Sequence, residues 1–157
     1  DGDPVEHHYP VVLEPPRVVR APYPFVGFID FQGIPVDVEN AAGSTRPGTR
    51  PDGTTGPVQI NSHYGEIWGV EGVDDESGDV YVGPNADAQV VVVVRQHQPD
   101  TGAYDEDKVM VGFDTVEAAV AAYQRQYDHP GYYVDGDYLV MTVPQLRRWV
   151  RSRAPTG

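Results

Sequence analysis

The 157-residue chain carries 24 acids against 11 bases, a formal net charge of −13, and its 39% hydrophobic content suits one domain with a single core. So acidic a chain lacks the basic patches that nucleic acid or an anionic membrane would need, and a polyanionic substrate would have to be bridged by metal ions. Cysteine is absent, no apolar run approaches the roughly 18 residues of a membrane span, and residues 1–25 hold no apolar stretch of the signal-peptide kind.

Residues 1–24 contain six of the 15 prolines and no periodicity, and are expected to form an extended arm able to add to a partner's sheet edge. The chain starts at Asp1 rather than Met, as a trimmed product or an excised domain would. His7-His8 and Asp1-Gly2-Asp3 lie at a terminus without a framework, so they are not expected to hold a metal.

Residues 25–30 and 34–38, split by Phe31-Gln32-Gly33, predict a β-hairpin. In its second strand Ile34, Val36 and Val38 alternate with Pro35, Asp37 and Glu39, and Glu39 closes the strand. Residues 40–57 are rich in Gly, Thr, Pro and Asn and read as one long loop carrying Arg46 and Arg50. Loops of more than about 12–15 residues in compact domains are usually functional or disordered. A short strand is expected at 58–60.

The most informative stretch runs from Tyr64 to Pro84. Apolar flanks at 64–70 and 80–82 read as strands, and between them lie Glu71, Asp74, Asp75, Glu76 and Asp79. Acidic turns between strands are common and usually solvated. Here Asp74 and Glu76 share a face if the chain is extended, and Asp79 follows three residues later. Oxygen donors without histidine or cysteine suit a hard cation such as Mg²⁺, with Mn²⁺ as the alternative. His63 and His97 are expected at the surface or at strand ends, not as ligands.

Five successive valines within 88–95 predict a strand buried on both faces. Residues 98–102 are turn chemistry, and 104–113 carry Asp105-Glu106-Asp107-Lys108 into an apolar strand; Lys108 is the only lysine. Asp114 or Thr115 should start a helix with an apolar stripe at Val116, Val120, Tyr123 and Tyr127, ended by His129-Pro130-Gly131. Residues 132–134 and 138–141 read as strands around Asp135-Gly136-Asp137. Thr142 should cap a last helix with Leu146, Trp149 and Val150 inward and Arg147, Arg148, Arg151 and Arg153 on its solvated face.

Several blocks, in order over about residues 26–150, resemble the soluble inorganic pyrophosphatases of the metal-carboxylate, barrel-forming family. Tyr64-Gly65-Glu66-Ile67 is followed in register by Asp74-Asp75-Glu76-Ser77-Gly78-Asp79-Val80, where that family has Tyr-Gly-x-Ile and Asp-Gly-Asp-x-x-Asp-Val. The chain is more closely similar to the pyrophosphatase-like domain of phage and prophage multidomain proteins. The residues that carry this are Gly33-Ile34-Pro35 with Glu39-Asn40, Gly43-Ser44-Thr45-Arg46, Val82-Gly83-Pro84-Asn85 and Glu106-Asp107-Lys108-Val109-Met110-Val111-Gly112-Phe113.

The chain reads as an arm at 1–24, one domain at 25–153 and a tail at 154–157. Strands that cluster first and helices that come late predict an α+β fold, and with the resemblance it becomes a small antiparallel, OB-like β-barrel of about five core strands plus hairpins, with one late-middle and one C-terminal helix. Asp74, Glu76, Asp79, Glu106 and Glu39 would be the metal carboxylates, with Glu76 helping to generate the attacking hydroxide. Lys108, Arg46 and Tyr64 would contact phosphate, with Arg50 as a second candidate. Asp75 stands where the family has glycine, Glu76 where it has aspartate, and Glu66 where an aromatic is usual. The family's late Tyr-Lys pair is matched to Tyr123 with Arg125.

The expected function is Mg²⁺-dependent hydrolysis of inorganic pyrophosphate or a related diphosphate. The competing readings are a non-catalytic structural or accessory domain of a phage-type protein, and a bare cation-binding domain. The expected partners are the diphosphate, with no nucleic acid and no membrane, and a homo-oligomer or a phage protein held through the arm. The expected location is the cytoplasm of a host cell, or the virion for a structural module.

Overall fold

The computed structural model describes residues 9–16, 25–50, 52–68, 78–128 and 130–153. Among these residues nine strands and two helices follow one another as β1 Gly27–Phe31, β2 Ile34–Asn40, β3 Thr45–Thr49, β4 Thr55–Gln59, β5 His63–Ile67, β6 Asp79–Val82, β7 Val90–His97, β8 Tyr104–Val111, α1 Val116–Gln126, β9 Tyr138–Thr142 and α2 Val143–Arg153. Seven strands form one sheet in the order β1-β2-β5-β6-β8-β7-β9, and β3 and β4 pair separately. The molecule is therefore α+β, as expected. The sheet is not a barrel: it ends at β1 and β9, and among the described residues no ladder joins these edges.

The first hairpin closes through Gln32 at φ 50° and Gly33 at φ 87°, the left-handed pair that matches strand twist. In β7 the valine run is buried on both faces because β8 and β9 flank it and a layer packs on each side. One layer is Val36, Val38, Val80, Val91 and Val111 beneath Val143, Leu146 and Val150 of α2. The other is Tyr64, Tyr81, Val92, Val94 and Met110 beneath Ala119, Ala122 and Tyr123 of α1. Each fully buried large apolar side chain is worth roughly 1.5–3 kcal/mol over its exposed state.

Thr115 caps α1, accepting from Ala118 N at 3.0 Å. Thr142 and Gln145 cap α2 reciprocally: Gln145 N donates to Thr142 Oγ1 at 3.2 Å and Thr142 N donates to Gln145 Oε1 at 2.8 Å.

Several elements differ from the sequence reading. The expected loop at 40–57 contains β3 and the start of β4, because cross-strand pairs such as Pro47↔Pro57 and Gly48↔Gly56 form without any apolar alternation to reveal them. Residues 132–134 form no strand; a 3₁₀ turn occupies Pro130–Tyr132, and β9 pairs with β7 instead. Arg147 is not on the solvated face, since its Nη1 donates to Gln32 O at 2.8 Å.

Residues 9–16 pack on the domain itself. Val11 is buried, Tyr9 Oη donates to Val82 O, and Glu14 and Phe28 exchange backbone hydrogen bonds at β1. The segment thus covers the chain's own edge. His63 and His97 stand at strand ends, as expected, opening β5 and closing β7; His63 is also buried, its Nδ1 accepting from Ala42 N at 3.0 Å and its ring meeting Tyr9 edge-on at 4.3 Å. Neither helix is long and apolar enough to cross a membrane.

A carboxylate and lysine site at one end of the sheet

On the α1 side of the sheet, four strands change character in step. Opposed pairs show it: Tyr64↔Tyr81 then Glu66↔Asp79 across β5 and β6, and Val92↔Met110, Val94↔Lys108, then Gln96↔Glu106 across β7 and β8. Directly opposed residues share a face, and side chains repeat on it every second residue. Apolar and aromatic side chains under α1 thus give way to charge toward one end.

Two irregularities tune that end. The β2–β5 register shifts between Val38 and Asn40, at Glu39; the β7–β8 register shifts between Gln96 and His97. Such bulges re-aim side chains. Gly65 lets β2 and β5 meet closely, since a Cβ there would fall 1.9 Å from Asp37 O. That explains a glycine between Tyr64 and Glu66 in structural terms.

Lys108 is the centre. Its side chain is only 5% exposed, and its Nζ lies 2.8 Å from Asp79 Oδ2, 3.2 Å from Glu106 Oε2 and 3.4 Å from Tyr64 Oη. The ammonium also stands 5.4 Å from the Tyr64 ring centre and 5.9 Å from that of Tyr127. Burial alone would lower its pKa. The Tyr127 and Tyr64 hydroxyls, and after them the charge and hydrogen bond of the Asp79 carboxylate, outweigh it and hold the pKa above that of an ordinary lysine.

Glu39 lies beside Glu66 and shares a hydrogen bond with it. Burial, that bond and the charges of Glu66 and Asp79 push its pKa up to about 7, against the pull of Arg46. Burial also raises Glu106, opposed by Lys108. Arg46 reaches over Tyr64 with its guanidinium carbon 5.7 Å from the ring centre. A recess of about 330 Å³ beside it is lined by Thr45, Arg46, Pro47, Gly56 and Pro57.

The structure therefore brings together Glu39, Arg46, Tyr64, Asp79, Glu106 and Lys108. Arg50 sits at the tip of the β3–β4 hairpin, where its Nη1 donates to Thr54 Oγ1 and Thr55 O, both at 3.1 Å. Asp74 and Glu76 lie outside the described residues. Tyr123, paired with exposed Arg125 in the sequence reading, is fully buried, and its hydroxyl donates to Gln96 Oε1 at 2.8 Å. Tyr127, one turn later, is the tyrosine that reaches Lys108 and Tyr81, whose hydroxyl donates to its own at 2.8 Å. Sequence reasoning passed over Tyr127, Glu66 and Gln96. The i, i+4 spacing of Tyr123 and Tyr127 was the available signal for the first.

Among the described residues no three metal-ligating side chains gather closely enough to enclose an ion. The donor set is nevertheless all oxygen, and Glu39 is destabilised as an anion by burial and then by its acidic neighbours Glu66 and Asp79. Both features fit a hard divalent cation that takes few protein ligands and keeps water and substrate for the rest.

Fold and site together define an α+β protein with a carboxylate and lysine centre at one end of its sheet. A family model described as Inorganic Pyrophosphatase matches residues 21–151, and the chain belongs to that family. No curated protein and no solved structure matches it.

Proposed function

We propose that the protein hydrolyses inorganic pyrophosphate or a related diphosphate to phosphate with the help of Mg²⁺. The observation that carries this reading is the Lys108 ammonium set among Asp79, Glu106 and Tyr64, with Arg46 over the same tyrosine. Phosphoryl transfer asks little covalent chemistry of the protein and depends on positioning and charge neutralisation.

Lys108 and Arg46 supply positive charge to the phosphate oxygens, and the Tyr64 hydroxyl supplies a neutral donor. Burial raises the Tyr64 pKa, so that hydroxyl keeps its proton at neutral pH. Asp79, Glu106 and Glu39 would hold the cation, with Asp74 and Glu76 joining them from outside the described residues. Bound there, the cation would neutralise phosphate charge and lower the pKa of the attacking water. Family membership supports the reaction class, and the acidic surroundings support the need for a cation.

The test is phosphate release from pyrophosphate with and without Mg²⁺, in the parent and in Glu76→Gln and Asp79→Ala. Mg²⁺-dependent release that both changes abolish is expected. No release at millimolar Mg²⁺ would remove the catalytic reading and leave an accessory domain.

A further inference from the structure

We infer that Gln96 is a positioning residue for Glu106, held in its own orientation by the Tyr123 hydroxyl. The inference rests on the reading of Glu106 as a cation-holding carboxylate.

Gln96 is an anomaly of its strand. It follows the valine run, its side chain is buried with 4% exposure, and a buried amide is costly unless its groups are paired. Both ends are paired. Tyr123 Oη donates to Gln96 Oε1 at 2.8 Å, and Gln96 Nε2 reaches Glu106 Oε2 at 3.5 Å. The two residues stand directly opposite each other across β7 and β8, immediately before the register shift.

The amide orientation follows from its partners. A carboxylate at Glu106 needs a donor, and the hydroxyl of Tyr123 has one hydrogen to give. Turning the amide round would set its oxygen against the Glu106 carboxylate. Tyr123 is in turn fixed: it is fully buried on α1, and its hydroxyl also lies 3.4 Å from Tyr132 O.

Glu106 is therefore held from two sides. Lys108 reaches Oε2 from its own strand, and Gln96 reaches the same oxygen from the neighbouring one. The Lys108 contact is shared with Asp79 and would loosen as charge in the site is redistributed. Gln96 is neutral and anchored in the core, so it keeps Glu106 aimed at the site whatever the charge there. Outer residues that orient ligands in this way typically contribute about 10-fold or more to metal affinity.

The experiment is Mn²⁺ binding by isothermal titration calorimetry on the full chain, with circular dichroism to verify folding. Gln96→Leu is expected to weaken binding about 10-fold, and Tyr123→Phe, which removes one hydroxyl from an unchanged ring, to weaken it by a smaller factor. Glu106→Gln should weaken it most. In the Glu106→Gln background, Gln96→Leu should add less than about 2-fold, because residues acting through one another are not additive. Equal losses from Gln96→Leu in both backgrounds, or none while Glu106→Gln still weakens binding, would overturn the positioning role alone. Unchanged Mn²⁺ affinity in Glu106→Gln would remove the cation reading of Glu106, and this inference with it. If Gln96→Leu fails to fold, Tyr123→Phe decides in the same two backgrounds, with undiminished affinity counting against the role.

Discussion

Lys108 Nζ lies 2.8 Å from Asp79 Oδ2, and this contact joins the parallel pair β6 and β8 at the charged end of the sheet. The lysine is nearly sealed, whereas Asp79 and Glu106 keep 16% and 37% of their side chains exposed. A buried cation with open carboxylates can stay in place while a second cation or a phosphate approaches from solvent. The same contact predicts what its loss would do.

Lys108→Met keeps the aliphatic stem and removes the charge. Asp79 and Glu106 are then left facing each other and Glu39. Breaking a buried pair from one side is costly, and with both carboxylates partly open a loss of about 2–3 kcal/mol is expected in urea unfolding. A charge-assisted contact to phosphate worth roughly 1.5–3 kcal/mol also disappears, so kcat/KM for pyrophosphate should fall by at least about 10-fold. Unaltered turnover would show that Lys108 serves the fold alone.

Glu39 gives a pH prediction with a definite sign. Its pKa rises from 4.5 to about 7 on folding, so the folded state holds its proton more tightly. The stability this contributes is full below pH 4.5 and is lost as pH rises to about 7. Without divalent cations, Tm should therefore decline over that window, and Glu39→Gln should flatten the decline. Because the group is half exposed, screening reduces the effect to roughly 1 kcal/mol. Mg²⁺ should raise Tm of the parent at pH 8 more than that of Glu39→Gln. Identical Mg²⁺ shifts in the two proteins would take Glu39 out of the cation site.

His97 carries the same sign from a different cause, since its partners favour the charged form. Its Nε2 lies 2.7 Å from Asp137 Oδ2 and its Nδ1 2.9 Å from Gly102 O, two acceptors that only the doubly protonated ring satisfies together. The hydrogen bond to Asp137, then that to Gly102, raises its pKa. The contribution to stability is full below the ordinary histidine value and fades as pH rises through the raised one. The ring faces Asp137, Arg95 and Tyr104. Histidine titration by NMR should show a value above 6.5 that falls in Asp137→Asn. A titration at or below the ordinary value would mean that the pair is not ionic.

These residues show what was legible in the sequence. The Gln32-Gly33 turn, the valine strand and the Thr142 cap each have a local cause, and local causes are written in neighbouring residues. The β3–β4 hairpin was not legible, because both its faces are largely exposed and no apolar alternation marks it. The burial of His63 was hidden too, since Tyr9 and Val11, which cover it, are distant in sequence. At the site, Asp79 was readable by type and spacing, and Glu39, Glu106 and Lys108 only through the family resemblance. Gln96 was not, since its role comes only from register across β7 and β8 and from the packing of α1, and Tyr127 was signalled only by its i, i+4 spacing from Tyr123.

Arg46 and Arg50 separate binding from scaffolding within one hairpin. They lie four residues apart, and both were candidates for phosphate. Arg50 closes the hairpin: its N–H donates to Thr54 O at 2.8 Å, and its guanidinium bonds Thr54 and Thr55 across the turn. Its donors already have partners at the tip, whereas Arg46 reaches Tyr64 and the Lys108 cluster. Arg46→Ala should therefore lower kcat/KM about 10-fold with Tm unchanged, since an exposed guanidinium contributes little to the fold. Arg50→Ala should do the reverse, speeding amide exchange across residues 45–59 and altering kcat/KM by less than about 3-fold. Replacing each by lysine refines the comparison. Lysine at 46 retains a charge and should recover part of the activity, while lysine at 50 lacks the fork that spans two acceptors and should not restore the exchange pattern. If Arg50→Ala loses as much turnover as Arg46→Ala while amide exchange stays slow, Arg50 contacts the substrate, and the hairpin tip must bend toward the site during catalysis.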